Sequence, residues 1–230
     1  MQAKRIGLLL LCVCGALVFG ALGVWQIERR AWKLDLIARV ESRVHSAPVA
    51  APPKAGWTAI FAQQDEYRRV RVTGQYLNRR TVLVDALTEL GPGYWVLAPL
   101  KTTDGVIWIN RGFVPPEHKS DYARPQDLVT VVGLLRATEP GGRFLRPNKP
   151  SANQWYSRDV AAISTSRGLS DVAPFFVDAE KAGGEEYPIG GMTVVRFRNV
   201  HLVYAITWFL LAGLSLTGVW LLIRPGNGLR

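Results

Sequence analysis

A histidine, a tyrosine and a tryptophan stand about one helical turn apart at the start of a long apolar segment near the end of the chain. His201, Tyr204 and Trp208 open a run that contains no charged residue up to Ile223. A neutral imidazole is a common axial ligand of haem iron, and neighbouring aromatic rings could flank a macrocycle. Arg198, just before this run, could pair with the carboxylates of such a ligand. These side chains could equally be amphipathic residues of a headgroup layer, and the pattern alone leaves both interpretations open.

Other kinds of catalytic or metal site lack the residues that they need. The sequence contains no H-E-x-x-H, C-x-x-C or G-x-S-x-G motif and no Gly-rich phosphate loop. His45 and His118 have no second histidine or cysteine at metal-ligand spacing, and the only cysteines are Cys12 and Cys14. We therefore expect no enzyme, and iron bound at His201 is the only metal that the pattern supports.

Two apolar segments must position these side chains. Residues 6–27 and 202–223 are each about 22 residues long, which as helix is roughly 33 Å and enough for a hydrocarbon core of about 30 Å. The first could instead be a cleaved signal peptide, because Lys4 and Arg5 precede it. It is longer than a typical signal core, and Trp25 at its far end suits a membrane interface, so we favour an uncleaved anchor.

The two segments have faces that could pack together. In the first segment, Ala16, Gly20, Gly23 and Ile27 form a stripe of mostly small residues, which lets helix backbones approach closely. We predict that the two helices pair through these faces, with His201 and Tyr204 at the rim. The facing stripe of the second segment falls within about 80° at 100° per residue and comprises His201, Tyr204, Ala205, Trp208, Ala212, Ser215 and Val219.

The residues between the segments have the pattern of a β domain. The first helix is expected to continue to about Val44, before a Pro- and Ala-rich linker. A short helix is predicted over Asp159–Arg167, ended by Gly168. The expected fold class is an α+β membrane protein, with two transmembrane helices flanking a mostly antiparallel β domain, a sheet or small barrel, with one short helix. Strand-like runs occupy residues 67–76, 80–87, 93–102, 106–115, 127–138, 173–179 and 192–198.

The charge of the chain bears on its partners. The net charge is +10, and all acidic residues lie between the two apolar segments. No RNA- or DNA-binding motif accompanies this positive charge, so we expect no nucleic-acid partner. On a membrane-anchored domain the simpler partner is the anionic headgroup layer of a lipid bilayer. Basic residues flank both ends of each segment, so the positive-inside rule does not orient the chain.

Several stretches together resemble the Surfeit-locus-one family of cytochrome c oxidase assembly factors. They occur in the family's order, span nearly the whole chain and are framed by the two apolar segments. Two positions depart from the family pattern, Phe113 where tryptophan is frequent and Val200 where a polar residue is common. The matching stretches are "LGVWQIERRAWK" (22–33), "GYWVLAPL" (93–100), "WINRGFVP" (108–115), "NQWYSRD" (153–159) and "RNVHLVYAITWFLLA" (198–212).

The resemblance implies a role in respiratory chain biogenesis. It implies an assembly factor of the cell inner membrane that binds haem a transiently near the outer surface and assists its insertion into the catalytic subunit of the oxidase. His201 corresponds to the histidine implicated in haem binding, and Trp25 and Gln26 stand at family positions in the first segment. The implied partners are the oxidase catalytic subunit, the haem a delivery machinery and the bilayer. The alternative is a cofactor-free membrane chaperone or scaffold for the oxidase subunit.

The expected organisation is that of a multi-pass protein whose main domain is periplasmic. The predicted parts are a cytoplasmic N-terminus (1–5), transmembrane helix 1 (6–27), a helix extension and linker (28–56), a periplasmic β-rich domain (57–200), transmembrane helix 2 (201–223) and a cytoplasmic tail (224–230).

Overall fold

The computed structural model describes residues 2–60, 65–181, 186–193, 197 and 199–224. The chain divides into two compact units. One unit joins the two ends of the chain, Met1–Val40 and Arg196–Arg230, and the other is the intervening Glu41–Val195. The predicted arrangement of a terminal helix at each end of the chain and a β-rich domain between them in sequence is confirmed.

Helices form where the sequence contains long runs without proline. Helix α1 spans Gln2–His45, and Pro48 follows its end, where a proline cannot continue the hydrogen-bond ladder. Helix α3 spans His201–Ile223. Both are long and apolar enough to cross a membrane by length and composition. The predicted end of the first helix near Val44 is confirmed, because α1 ends at His45.

The short helix is also confirmed. Helix α2 spans Val160–Ser166, and the side chain of Asp159 caps it by accepting a hydrogen bond from the backbone N–H of Ala162 at 3.0 Å. Gly168 follows with a φ of 60°, the left-handed conformation that commonly ends helices. Asp159 and Gly168, which bounded the predicted helix, therefore lie at its two ends in the structure.

The β strands lie close to the predicted runs. Two short strands that form a separate hairpin were not predicted, and neither was the two-residue strand that begins the main sheet. The strands are β1 (Val49–Ala50), β2 (Arg69–Tyr76), β3 (Val82–Thr88), β4 (Gly91–Lys101), β5 (Val106–Val114), β6 (Leu128–Ala137), β7 (Gly142–Arg143), β8 (Arg146–Pro147) and β9 (Val172–Ala179).

The main sheet closes on itself. Its order is β1-β2-β6-β9-β5-β4-β3, and an additional pairing of β2 with β4 joins the two sides into a five-stranded ring. Five of its strand pairs are antiparallel, and β1–β2 and β5–β9 are parallel. Strands β4 and β5 form a hairpin, in whose turn the N–H of Thr102 donates to the carbonyl of Gly105 at 2.8 Å. Both parts of the expectation, mostly antiparallel and barrel-like, are therefore confirmed.

Two apolar clusters pack on opposite faces of this curved sheet. Alternation along β5 divides its side chains, since Ile107 and Ile109 join one cluster and Trp108 joins the other. The second cluster also contains Ile163 of α2, so the short helix covers that face of the sheet.

A buried carboxylate ties the strands together. The side chain of Asp178 on β9 is 4% exposed and accepts hydrogen bonds from Asn110 at 2.8 Å, Arg136 at 2.8 Å and Arg158 at 3.2 Å. These partners satisfy the buried charge, which would otherwise be costly. Asn110 also accepts from the backbone N–H of Gly112, as expected of a turn-shaping residue.

One predicted strand is not supported. Met192 and Thr193 belong to no strand, and 194–196 and 198 of the run 192–198 lie outside the described residues. Alternating apolar residues satisfy the sequence criterion for a strand, but a strand also needs a neighbour with free hydrogen-bonding groups.

Candidate functional site in the helix pair

Helices α1 and α3 pack against each other in antiparallel fashion. Small residues allow this approach: a Cβ added to Gly23 would lie 2.6 Å from the ring of Phe209. A Cβ on Gly15 would lie 3.1 Å from Oγ of Ser215. Near the other end, Nε of Arg5 donates to the carbonyl of Leu222 at 3.0 Å, where the helix leaves a carbonyl without an internal partner.

The buried positions of the helix pair are seven residues apart on α3 and three apart on α1. On α3 the buried alanines are Ala205 and Ala212, 1% and 8% exposed. On α1 the buried residues in this segment are Gly23 and Gln26. Residues three or seven apart lie on the same side of a helix, so these positions face the partner helix.

A polar contact ends this otherwise apolar interface. Gln26 is 9% exposed, and its Oε1 atom lies 2.7 Å from Nδ1 of His201 in the first turn of α3. An amide oxygen can only accept a hydrogen bond, so Nδ1 carries the proton and donates it. The neutral ring then has its lone pair on Nε2, and no residue in the described part of the chain donates to that atom.

This arrangement is chemically suited to a metal ligand. Histidines that bind metals usually donate their other ring N–H to a fixed acceptor, which sets the tautomer and the ring orientation. Gln26 supplies such an acceptor from the neighbouring helix. Groups of three or more potential metal-binding side chains do not occur among the described residues, so a closed protein cage for a free ion is not available there.

Known proteins are similar to this chain over most of its length. A match to the SURF1 family covers residues 13–213. The chain belongs to the SURF1 family. It is 36% identical to Surfeit locus protein 1 of Rattus norvegicus over 219 residues, which is 84% of this chain and 68% of the rat protein.

Two further relatives have similar coverage. Surfeit locus protein 1 of Homo sapiens is 35% identical over 214 residues, covering 82% of this chain and 68% of the human protein. A SURF1-like protein of Monosiga brevicollis is 33% identical over 230 residues, covering 91% and 84% of the two chains. The resemblance inferred from five short stretches therefore extends over most of this SURF1-family chain.

The other residues proposed for the site lie in different surroundings. Trp208 stacks on Phe19 with ring centroids 5.7 Å apart, so it belongs to the helix contact. Tyr204 and Trp25 are 52% and 53% exposed. Arg198 lies outside the described residues. Of the residues proposed for the site, His201 and Gln26 therefore contact each other directly, and Tyr204 and Trp25 are exposed at the surface of the helix pair.

The predicted small-residue stripe needs a correction. Ile27 is 43% exposed, and a Cβ on Gly20 would have no neighbour within 4 Å. The contacts instead follow Gly15, Gly23 and the polar Gln26. Steps of four and three residues, at 100° per residue, define the stripe of an isolated helix. Packing against a partner changes which positions face that partner. A prediction from hydropathy also leaves a glutamine out of an apolar contact.

Two residues near the site were not predicted. Phe19 packs on Trp208, and Nζ of Lys33 lies 5.3 Å from the ring centroid of Phe197. Phe19 lies four residues before Gly23 and seven before Gln26, and this spacing is the signal that could have identified it. Lys33 gives this end of the pair a cation beside an aromatic ring.

Proposed function

We propose that this SURF1-family protein is an assembly factor for haem-copper cytochrome c oxidase. In this proposal it binds haem a at His201 and assists its insertion into the oxidase catalytic subunit. The observation that carries the proposal is the hydrogen bond between His201 and Gln26, which leaves the Nε2 lone pair without a described partner. Membership of the SURF1 family supports oxidase assembly as the process in which the protein acts.

The surroundings of His201 fit an amphiphilic macrocycle. Apolar helix surface lies on one side, including Tyr204 and neighbouring exposed aliphatic residues. Lys33, near Phe197 in the same unit, could meet an anionic propionate. Haem, once bound, would supply a Lewis-acidic iron for the imidazole, and the residues of the chain would orient and shield it.

A carrier must also release its cargo. A single imidazole ligand with a neutral amide as its hydrogen-bond partner binds iron less strongly than two protein ligands or an imidazole paired with a carboxylate. The proposed site is therefore suited to transient binding between a haem a delivery protein and the oxidase subunit, rather than to a permanent prosthetic group.

The proposed location is the cell inner membrane. Helices α1 and α3 are long and apolar enough to cross a bilayer, which is consistent with a membrane protein. By family resemblance we place the β-rich unit in the periplasm and both chain ends in the cytoplasm. This orientation would put His201, the first residue of α3, near the outer surface of the membrane.

A second candidate function is that of a cofactor-free chaperone or scaffold. The observation that favours it is that Gln26 and His201 satisfy each other's hydrogen bonding, as a structural pair in a helix contact would. In that case the exposed residues of the helix pair would hold the oxidase subunit directly, and the imidazole would have no iron to bind.

Absorption spectra distinguish the two functions. The full chain would be purified from cells that make haem a, as wild type, His201→Ala and His45→Ala, the last replacing an exposed histidine at the end of α1. We expect a Soret band in wild type and His45→Ala, and a loss of most of it in His201→Ala. Equal bands in all three proteins, or none in any, would refute haem ligation by His201.

A further inference from the structure

The wall of the five-stranded ring has an opening at one end. Strand β9 stops at Ala179, which pairs with Gly133 of β6, and its last pair with β5 joins Asp178 to Asn110. Both neighbours continue beyond this point, where they are met only by single contacts: the N–H of Glu180 donates to the carbonyl of Val132, and Ile189 forms an isolated bridge with Phe113. Among the described residues, no strand continues the ladder between β5 and β6 there. A cavity of about 390 Å³ lies at this opening, within the usual size range of small-molecule sites.

Apolar side chains and one guanidinium characterise this cavity. Valines of β6 and two prolines provide apolar surface, and the ring of Tyr76, itself 8% exposed, lies on the barrel side. The lining includes Tyr76, Arg111, Pro125, Val129, Val131 and Pro188. A cavity with this lining can hold the apolar part of a ligand if a negatively charged group of that ligand pairs with the buried guanidinium.

Arg111 is unusual because its partners are neutral. It is the first residue of β5 after the pairs with β9, and its guanidinium carbon lies 4.9 Å from the ring centroid of Tyr76. Its Nη1 atom donates to the carbonyl of Ala123 at 2.6 Å. Among the ion pairs of the described residues, none joins Arg111 to a carboxylate. Burial, together with nearby Arg124, lowers the pKa of Arg111, although Tyr76 and Tyr122 partly oppose this.

Two other part-buried arginines of the β unit differ in this respect. Arg136 pairs with Asp178 at 2.8 Å, and Arg158 pairs with the same carboxylate at 3.2 Å. Glu180 also lines the cavity, but both of its oxygens bind Arg69, at 2.6 and 2.8 Å. Glu180 is therefore already neutralised, and Lys181 adds a second cation to the lining.

We propose that this cavity binds a small amphiphilic carboxylate, with its carboxylate on Arg111 and its apolar chain against Val129 and Val131. A guanidinium has five N–H donors, and its fork matches a carboxylate in a two-point contact. Ala123 takes one donor, so several remain for a ligand. The apolar lining favours a carboxylate that carries a hydrocarbon chain over a free inorganic anion. The site is separate from the proposed haem ligand and does not depend on it.

Titration calorimetry with octanoate tests the proposal. The full chain would be held in lipid nanodiscs, and empty nanodiscs would correct for partition into the bilayer. The variants are Arg111→Gln, and Arg71→Gln as a control that removes the same charge from an exposed position of β2. We expect one octanoate per chain in wild type and Arg71→Gln, and binding at least tenfold weaker in Arg111→Gln. Octanol and inorganic phosphate, each lacking half of the ligand, should bind more weakly than octanoate.

A second measurement covers the case in which Arg111→Gln does not fold. Photoreactive octanoate should label wild-type peptides that contain Tyr76 or Val129–Val132, and unlabelled octanoate should compete. His201→Ala should label like wild type, which separates this proposal from the haem proposal. No saturable binding up to about 10 mM octanoate, labelling elsewhere, or equal affinity in folded Arg111→Gln would each overturn it.

Discussion

Gln26 and His201 are two polar side chains that satisfy each other at the end of an apolar helix contact. A buried polar group without a partner costs about 1–3 kcal/mol, so each of these residues makes the other tolerable. Their bond also determines which ring nitrogen of His201 carries the free lone pair. The position of His201 could be predicted, because a histidine at the start of an apolar run stands out. Its contact with Gln26, 175 residues away in sequence, required the packing of two distant segments.

Replacing Gln26 should affect haem binding through the histidine. In Gln26→Leu, Nδ1 of His201 loses its acceptor, and we expect haem affinity to fall about 10–100-fold, the usual effect of removing such a partner. Gln26→Glu keeps an acceptor oxygen in place, and because a carboxylate partner strengthens an imidazole ligand, this variant should bind haem at least as tightly as wild type. Haem titration of the purified variants, followed at the Soret band, measures both.

The comparison is informative only if the helices still pair. Circular dichroism should show the same helix content in all three proteins. Wild-type haem affinity in Gln26→Leu would mean that the hydrogen bond has no part in ligation.

At the scale of elements, some boundaries could be predicted and others could not. Asp159 and Gly168 define α2 through local capping chemistry, which a sequence displays directly. The stripe of α1 was partly wrong, because Ile27 proved exposed and Gln26 buried. A helix face depends on the partner that covers it, and single-sequence periodicity contains no information about that partner.

The helix register can be tested with a disulfide. A Cβ on Gly218 would lie 3.8 Å from Cβ of Cys12, which is the mean separation in native disulfides. We therefore expect Gly218→Cys, in a Cys14→Ser background, to form an intramolecular disulfide with Cys12 under mild oxidation. Mass spectrometry of a non-reduced digest identifies the linked peptides.

Gly213→Cys provides the matched control. It lies on the same helix, but a Cβ there would meet no atom within 4 Å. It should leave Cys12 free under the same conditions. Equal cross-linking from both positions, or preferential cross-linking from Gly213→Cys, would show that the helices do not pack in this register.

At the scale of the molecule, the composition predicted two apolar ends and a β-rich middle. The closed ring of strands could not be derived in detail, because the parallel pair β5–β9 joins segments separated by more than fifty residues and leaves no local turn signal. The absence of a carboxylate partner for Arg111 among the described ion pairs could not be predicted either. A sequence shows which residues are basic, but only the fold shows that Arg136 and Arg158 meet carboxylates while Arg111 meets Ala123 and Tyr76.

The stability of the β unit should fall in acid partly through Glu139. Burial raises the pKa of this carboxyl. Hydrogen bonds and charge attraction from Arg158, which contacts it directly, lower the pKa by more than burial raises it, so the pKa lies below its ordinary value of 4.5. The folded state therefore holds the proton less tightly than the unfolded state. The stabilisation is fully present above pH 4.5 and is lost as the pH falls through the folded pKa.

Urea unfolding of the full chain in detergent, at pH 7 and at pH 3, measures this linkage. Glu139→Gln should lower the urea midpoint at pH 7, because Arg158 loses a charged partner, and should change it less at pH 3. Glu117→Gln, which alters an exposed carboxyl, should have little effect at either pH. If Glu139→Gln shifted the midpoint equally at both values, the ion pair would not be the source of its contribution, and the side chain would matter only through packing.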